Sequence, residues 1–169
     1  VKRHLSYLKY VLLHKWYVWQ AGLVTGAPLW RLLIHDWTKF RPSEWKDYAP
    51  NFYRLDGSSQ ERDDRPEAVK GPFRKALQRH YKRNKHHWQY WVYFRPDTRE
   101  LKALEMPEKF VREMIADWMG AGKATTGDWD SIEEWYPKNK DKMILHDATR
   151  LKVEEILVYE LDYTEIVAN

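Results

Sequence analysis

The sequence predicts an all-α fold, a single-domain helical bundle over residues 1–169. Three observations carry that expectation. Apolar residues recur at helical spacing in segment after segment. Gly and Pro punctuate those segments. No stretch alternates polar and apolar residues as a half-buried strand would. With 43% hydrophobic and 32% charged residues the chain is globular rather than disordered, and its length allows a sizeable core. Ten Trp and eleven Tyr point to a core packed with aromatic rings.

Residues 3–22 form the first predicted helix. At roughly 100° per residue, Tyr7, Tyr10, Val11, His14, Val18 and Ala21 share one face. Leu5, Leu8, Leu12, Leu13 and Trp16 cover the other faces, which predicts burial on most sides. Gly22 and Gly26 end this helix. Pro28 suits the first turn of a second helix, which runs to about Phe40 and is stopped by Pro42. Ser43-Glu44-Trp45 opens a short third one. Residues 51–71 lack periodicity and carry mixed charge and turn residues, so they read as a mobile surface connection or a lid.

From Pro72 to about Phe94 one helix aligns Phe73, Leu77, His80, Asn84, His87, Trp88 and Trp91. Arg74, Lys75, Arg79, Lys82, Lys85 and His86 turn largely to its other side. Residues 97–106 are a polar connection. Pro107 to Met119 is a helix with Phe110, Met114, Asp117 and Trp118 on its apolar side, which puts Asp117 near the C-terminus, where the helix dipole disfavours an anion. Gly120 to Gly127 is a helix cap and loop. It is no phosphate loop: Asp117 stands where the first Gly belongs, no Ser or Thr follows Lys123, and a helix precedes it. Trp129 to Pro137 is a short connection with one helical turn at most. Asp141 to about Asp162 is the last helix, aligning Met143, His146, Arg150, Val153 and Leu157.

Chemistry concentrates in Leu32-Leu33-Ile34-His35-Asp36-Trp37-Thr38-Lys39-Phe40. Leu32, His35, Asp36 and Lys39 occupy one quadrant of the second helix. Bulky neighbours imply burial, and a buried ionised Asp is costly unless compensated. A divalent cation is one compensator, since imidazole and carboxylate are both good ligands; structural hydrogen bonds are the other. With no cysteine in the chain, any metal must be held by His, Asp and Glu. His14 on its apolar stripe, and Asp117 on its own, pose the same question. His80 and His87 point inward with Asn84 between them. His146 and Arg150, one turn apart, meet an anion or pair structurally with Glu154. A net charge of +4 permits an anionic ligand without specifying it. No apolar run approaches membrane-spanning length and no signal-peptide pattern opens the chain, so the reading is cytoplasmic, with no membrane partner.

The order of His14, the His35-Asp36 pair and Asp117 resembles the HD-domain superfamily of helical metal-dependent phosphohydrolases. The pattern spans residues 14–117, most of the chain. The stretches His35 to Phe40 and Asn84 to Trp91 also resemble a small phage and bacterial family with no assigned activity. The wider resemblance implies that His14, His35, Asp36 and Asp117 bind a divalent metal: Mn, Co, Fe, Zn or Mg, as one ion or two. Lys39 then meets a phosphate or carboxylate. His80 and His87 hold a second ion or contact the substrate and its leaving group, and Asn84 orients a ring or touches the ligand. The expected substrate is a small phosphorylated compound, a nucleotide by default, attacked by metal-activated water.

Two features depart from the pattern. The gap between Asp36 and Asp117 is long, and no acid directly follows His35-Asp36 as a general base, Glu44 and Asp47 being the nearest downstream. Inward histidines between the His-Asp pair and the last Asp are also seen in HD-type diiron oxygenases, which makes an oxygenase the rival reading. A nucleic-acid-binding module using the cations of residues 74–85 is a third, disfavoured because most of those cations form a solvated face. Oligomeric state, a homo-oligomer included, stays open.

Overall fold

A computed structural model describes residues 1–163; the last six residues of the expected domain lie outside that range. It is predominantly helical. The elements are α1 (Lys2–Val24), α2 (Leu29–Ile34), α3 (Pro42–Phe52), α4 (Glu67–Arg83), β1 (Val92–Arg95), β2 (Glu100–Ala103), α5 (Glu108–Thr126), α6 (Ser131–Asn139) and α7 (Asp147–Glu155). Short 3-10 turns at Trp37–Phe40, Trp88–Trp91 and Lys140–Lys142 join them, and α7 widens into a π-turn over Ile156–Glu160. Contacts divide the chain into two compact units, each discontinuous in sequence. The first comprises Val1–Leu13 and Asp36–Asn84, the second His14–His35 and Lys85–Asn169.

In the first unit, Tyr7 and Val11 of α1 pack with Tyr48 and Ala49 of α3 and Ala76 of α4. Aromatic edges close this core: Tyr7 meets Trp45 at 4.7 Å and Tyr48 meets Phe73 at 5.0 Å between ring centres. Offset and edge-on rings are the arrangement the aromatic quadrupole favours. In the second unit, Val18 and Ala21 of α1, Leu32 of α2 and Ile156 and Leu157 join the apolar stripe of α5, namely Phe110, Val111, Met114, Ile115 and Met119.

Several expectations need correction. The second helix does not continue to Phe40. His35 caps α2 and Asp36 takes a left-handed conformation at φ 53°, which Asp tolerates better than most residues. The connection expected over 51–71 shrinks, because α3 reaches Phe52 and α4 begins at Glu67 with Pro72 inside it. Between them Tyr53 pairs with Ser59, and Asp56 Oδ1 accepts from the backbone N–H of Ser58. At its far end α4 stops at Arg83 rather than Phe94, and an antiparallel hairpin follows where only helix and polar connection were expected, with Val92 opposite Ala103 and Arg95 opposite Glu100.

Helix α5 runs on through Gly120 and Gly122 to Thr126, and Gly127 caps it at φ 80°. The stretch read as a cap and loop is therefore helix, and Asp117 sits mid-helix. A nine-residue helix, α6, replaces the expected single turn, and α7 begins at Asp147 rather than Asp141. Helix α1 buries only the stripe that faces inward: Leu5, Leu12 and Trp16 are more than half exposed.

At Gly120, α5 passes close to the backbone of α1. A Cβ there would lie 2.7 Å from the backbone nitrogen of Val18. Gly71, on α4, has nothing within 4 Å of such a Cβ. Gly in a helix interior costs about 0.5–1 kcal/mol relative to Ala. Gly71, however, immediately precedes Pro72, whose ring disfavours the helical conformation for a residue with a Cβ, so Gly71→Ala is expected to leave stability little changed. Gly120→Ala is expected to destabilise the protein by forcing two helix backbones apart; chemical denaturation of both variants checks the difference.

Candidate metal centre

The second unit gathers three of the four residues expected to ligate a metal. His14 projects from the buried stripe of α1, one turn before Val18. His35 sits at the C-cap of α2, where Lys15 Nζ donates to its carbonyl. Asp117 occupies the apolar stripe of α5. His14 Nε2 lies 3.1 Å and His35 Nε2 3.3 Å from Asp117 Oδ1. All three side chains are buried, with one ligand atom from each within 4.8 Å of the others.

Two residues complete the cluster that the sequence reading did not place there. His86, expected on the solvated face of α4, is 1% exposed. The expected phase failed because α4 ends at Arg83, so residues beyond it no longer follow helical geometry. Its Nε2 lies 3.9 Å from Asp117 Oδ2. Glu113 is fully buried at 0% exposure. A signal for it existed: with Phe110, Met114 and Asp117 on one stripe, Glu113 falls at the i+3 position from Phe110, one turn before Asp117. Glu113 Oε1 is 3.1 Å from His35 Nδ1 and 3.2 Å from His86 Nδ1. Its Oε2 accepts from Arg31 Nε at 2.7 Å.

The first unit holds the other expected residues. Asp36 Oδ2 pairs with Lys39 Nζ at 2.5 Å, and Asp36 Oδ1 stands 3.2 Å from His80 Nε2. Behind His80, Glu44 Oε2 faces Nδ1 at 2.9 Å, while Glu44 Oε1 accepts from Arg83 Nη1 at 2.6 Å. Asn84, at the C-cap of α4, donates to Thr38 Oγ1 at 2.8 Å and to the His80 carbonyl at 2.9 Å. Glu44, noted in sequence as a downstream acid, is thus the partner of His80, whereas Asp47 pairs with Arg79.

Of the remaining expected residues, His87 lies beside His86, whereas His146 and Arg150 make other contacts. His87, in the second unit, is half-buried with its ring 4.2 Å from that of His86. His146 Nδ1 accepts from the backbone N–H of Ala148 and so caps α7. Arg150 donates to the carbonyls of Lys140 and Met143. Both therefore have structural work, and neither joins the carboxylate and imidazole groups around Asp117.

The donor set of the second unit fits a divalent ion. Two ligands each ~2.1 Å from one ion stand ~3.0–3.4 Å apart at octahedral or tetrahedral angles. The contacts of His14 and His35 with Asp117 fall in that range. Neutral imidazole and carboxylate suit Zn, Mn, Fe or Co, and no cysteine is present to impose a thiolate site.

Electrostatics keep the carboxylates ionised. Burial by itself raises a carboxyl pKa, but for Glu113 the hydrogen bonds from His35 and His86 outweigh burial and lower it from 4.5 to about 2. For Asp117, burial is likewise outweighed by His14 and His35, which hold it well below the usual carboxylate range. In the first unit burial opposes the charged form of His80, and Asp36 and Glu44 overcome it and raise its pKa.

Together the fold and the clusters define a class, a predominantly helical protein whose buried imidazole and carboxylate groups can hold a metal ion. Residues 3–159 match the model of DUF5662, a family of unknown function, and the chain belongs to that family. Comparison with curated proteins and with solved structures finds no match. Among the described residues, no helix is long and apolar enough to cross a membrane.

A carboxylate whose folded pKa lies below its unfolded value stabilises the fold above the unfolded value and ceases to do so as pH falls through the folded one. The metal-free protein is therefore expected to lose stability as pH drops from 4.5 toward about 2, the interval in which Glu113 is protonated in the unfolded chain but not in the folded one. Thermal midpoints recorded across that interval check this, and an unchanging midpoint contradicts it.

Proposed function

We propose that the protein is a metal-dependent phosphohydrolase of HD-domain type, acting on a nucleotide or another small phosphorylated substrate in the cytoplasm. The observation that carries this reading is the convergence of His14 Nε2 and His35 Nε2 on Asp117 Oδ1 at 3.1 and 3.3 Å. These three residues would hold the ion, whether Mn, Co, Fe, Zn or Mg. Asp36 is proposed as a further ligand on the sequence motif alone, being the residue bonded directly to His35. Such an ion supplies Lewis acidity and a bound water acidified toward neutrality.

The side chains do the rest. His14 and His35 each offer Nε2, and Asp117 offers an ionised carboxylate, so three protein ligands leave other positions for water and substrate. Burial keeps bulk solvent from the ligand atoms, which strengthens every charge interaction among them. On the sequence pattern alone, Lys39 is assigned to the phosphoryl oxygens, whose charge rises in the transition state, and His80 to the leaving group. A second ion, where the substrate chemistry uses one, would draw on the same imidazoles.

An iron-dependent oxygenase is the second reading. The third buried imidazole, His86, favours it, since imidazole-rich sets suit iron as well as zinc.

Elemental analysis of purified protein, with a phosphate-release screen over nucleotides in Mn, Co and Mg, tests the proposal. Bound metal and metal-dependent phosphate release are expected in the wild type. His35→Ala and Asp117→Ala are each expected to lose the metal, as is Asp36→Ala if the motif-based assignment holds. A wild type that binds no ion refutes the metal reading. Oxygen uptake by the iron-loaded protein without phosphate release favours the oxygenase instead.

A further inference from the structure

We propose that Glu113 is the positioning residue of this centre and that, through it, His86 joins His35 as a ligand. The inference rests on the metal reading above. An imidazole that binds a cation does so through an unprotonated nitrogen, so its proton sits on the other nitrogen and calls for an acceptor. Glu113 Oε1 stands beside two rings, hydrogen-bonded to His35 Nδ1 at 3.1 Å and within ion-pair distance of His86 Nδ1 at 3.2 Å. Both rings then carry their proton at Nδ1, and both present an unprotonated Nε2. Those nitrogens face the same carboxylate: His35 Nε2 lies 3.3 Å from Asp117 Oδ1 and His86 Nε2 3.9 Å from Asp117 Oδ2. The two rings stand 4.4 Å apart and 39° from parallel, side by side between the two acids.

Helical spacing accounts for the arrangement. Glu113 and Asp117 are one turn apart on α5, so a single face of one helix supplies the acid behind the imidazoles and the acid in front of them. Arg31 of α2 fixes the rear acid from the opposite side at 2.7 Å, while its guanidinium lies 4.7 Å from the centre of the Phe110 ring. The carboxylate is thereby held on both oxygens and cannot turn away from the rings.

The first unit repeats the order of groups with different elements. There Arg83 holds Glu44 at 2.6 Å, Glu44 meets His80 Nδ1 at 2.9 Å, and His80 Nε2 meets Asp36 at 3.2 Å. Cation, carboxylate, imidazole and carboxylate follow one another in both places. A carboxylate needed only to neutralise Arg31 would not have to meet two ring nitrogens.

Partners of this kind typically alter metal affinity by about 10- to 100-fold when removed. Glu113→Gln is expected to weaken zinc binding by a factor in that range, measured by competition with a chelator. His86→Ala is expected to weaken it comparably. Long-range proton–nitrogen spectra of the zinc-loaded wild type are expected to show His35 and His86 protonated at Nδ1 only. This readout decides the matter even if Glu113→Gln fails to fold. Protonation of either ring at Nε2, or a folded Glu113→Gln that binds zinc as tightly as the wild type, overturns the role of Glu113. An unaltered His86→Ala affinity removes His86 from the ligand set. A wild type that binds no zinc, manganese or iron refutes the preceding reading, and this one with it, which is a different result from a loss confined to the variants.

Discussion

The second unit is built around two carboxylates that α5 carries into its interior. A buried ionised acid without compensation is among the most expensive features a core can contain. Glu113 and Asp117 are tolerable because the groups that compensate them arrive from other segments: His14 from α1, Arg31 and His35 from α2, and His86 from the stretch after α4. Removing any one partner leaves charge or hydrogen-bonding capacity unsatisfied. The packing of these segments and the protonation of the cluster are therefore one problem with one solution.

Close backbone approach makes that solution reachable. An imidazole is short, and His14 can reach a carboxylate on α5 only if the two helices nearly touch. Gly120 permits this, since any side chain there would collide with the backbone of Val18. Gly22 instead leaves room for a side chain of α2, since a Cβ there would lie 2.3 Å from Leu32 Cδ2. Leu32 in turn precedes His35 by one turn and sits in the same apolar cluster as Val18 and Ala21. Small residues set the distances and apolar residues hold them, so the polar groups meet with little freedom to spare.

Much of this was legible in the sequence, and the failures have physical causes. The stripe Tyr7, Val11, His14, Val18 and Ala21 could be read because α1 is long and unbroken, so phase errors do not accumulate. Asp117 could be read because an acid on an apolar stripe stands out. Asp36 was read as helical, whereas it leaves the helix in a left-handed conformation; Asp is one of the few residues that adopts it readily, and nothing local announces when it will. His86 was misplaced by carrying helical phase three residues past the true end of α4 at Arg83. The hairpin was missed because its strands are four residues each and pair mainly with one another. Glu113 stayed hidden for a different reason. An acid is assigned to solvent by default, and only the partners supplied by distant segments show that it is not.

Exposure within the cluster is uneven, and the unevenness bears on how a substrate would approach. His14 and His35 are each 2% exposed and His86 1%, while Glu113 is sealed entirely. Asp117 retains 8%. The acid behind the imidazoles is thus fully enclosed, and the acid in front of them nearly so. That ordering suits a positioning group at the rear, where a low dielectric strengthens its hold on the rings, and a reacting group at the front. Under the proposed reading, a water or phosphoryl oxygen would approach on the side of Asp117, where some surface remains. Residual solvation also lowers the cost of an ionised acid, so the 8% left to Asp117 lightens a burial penalty that Glu113 offsets through Arg31.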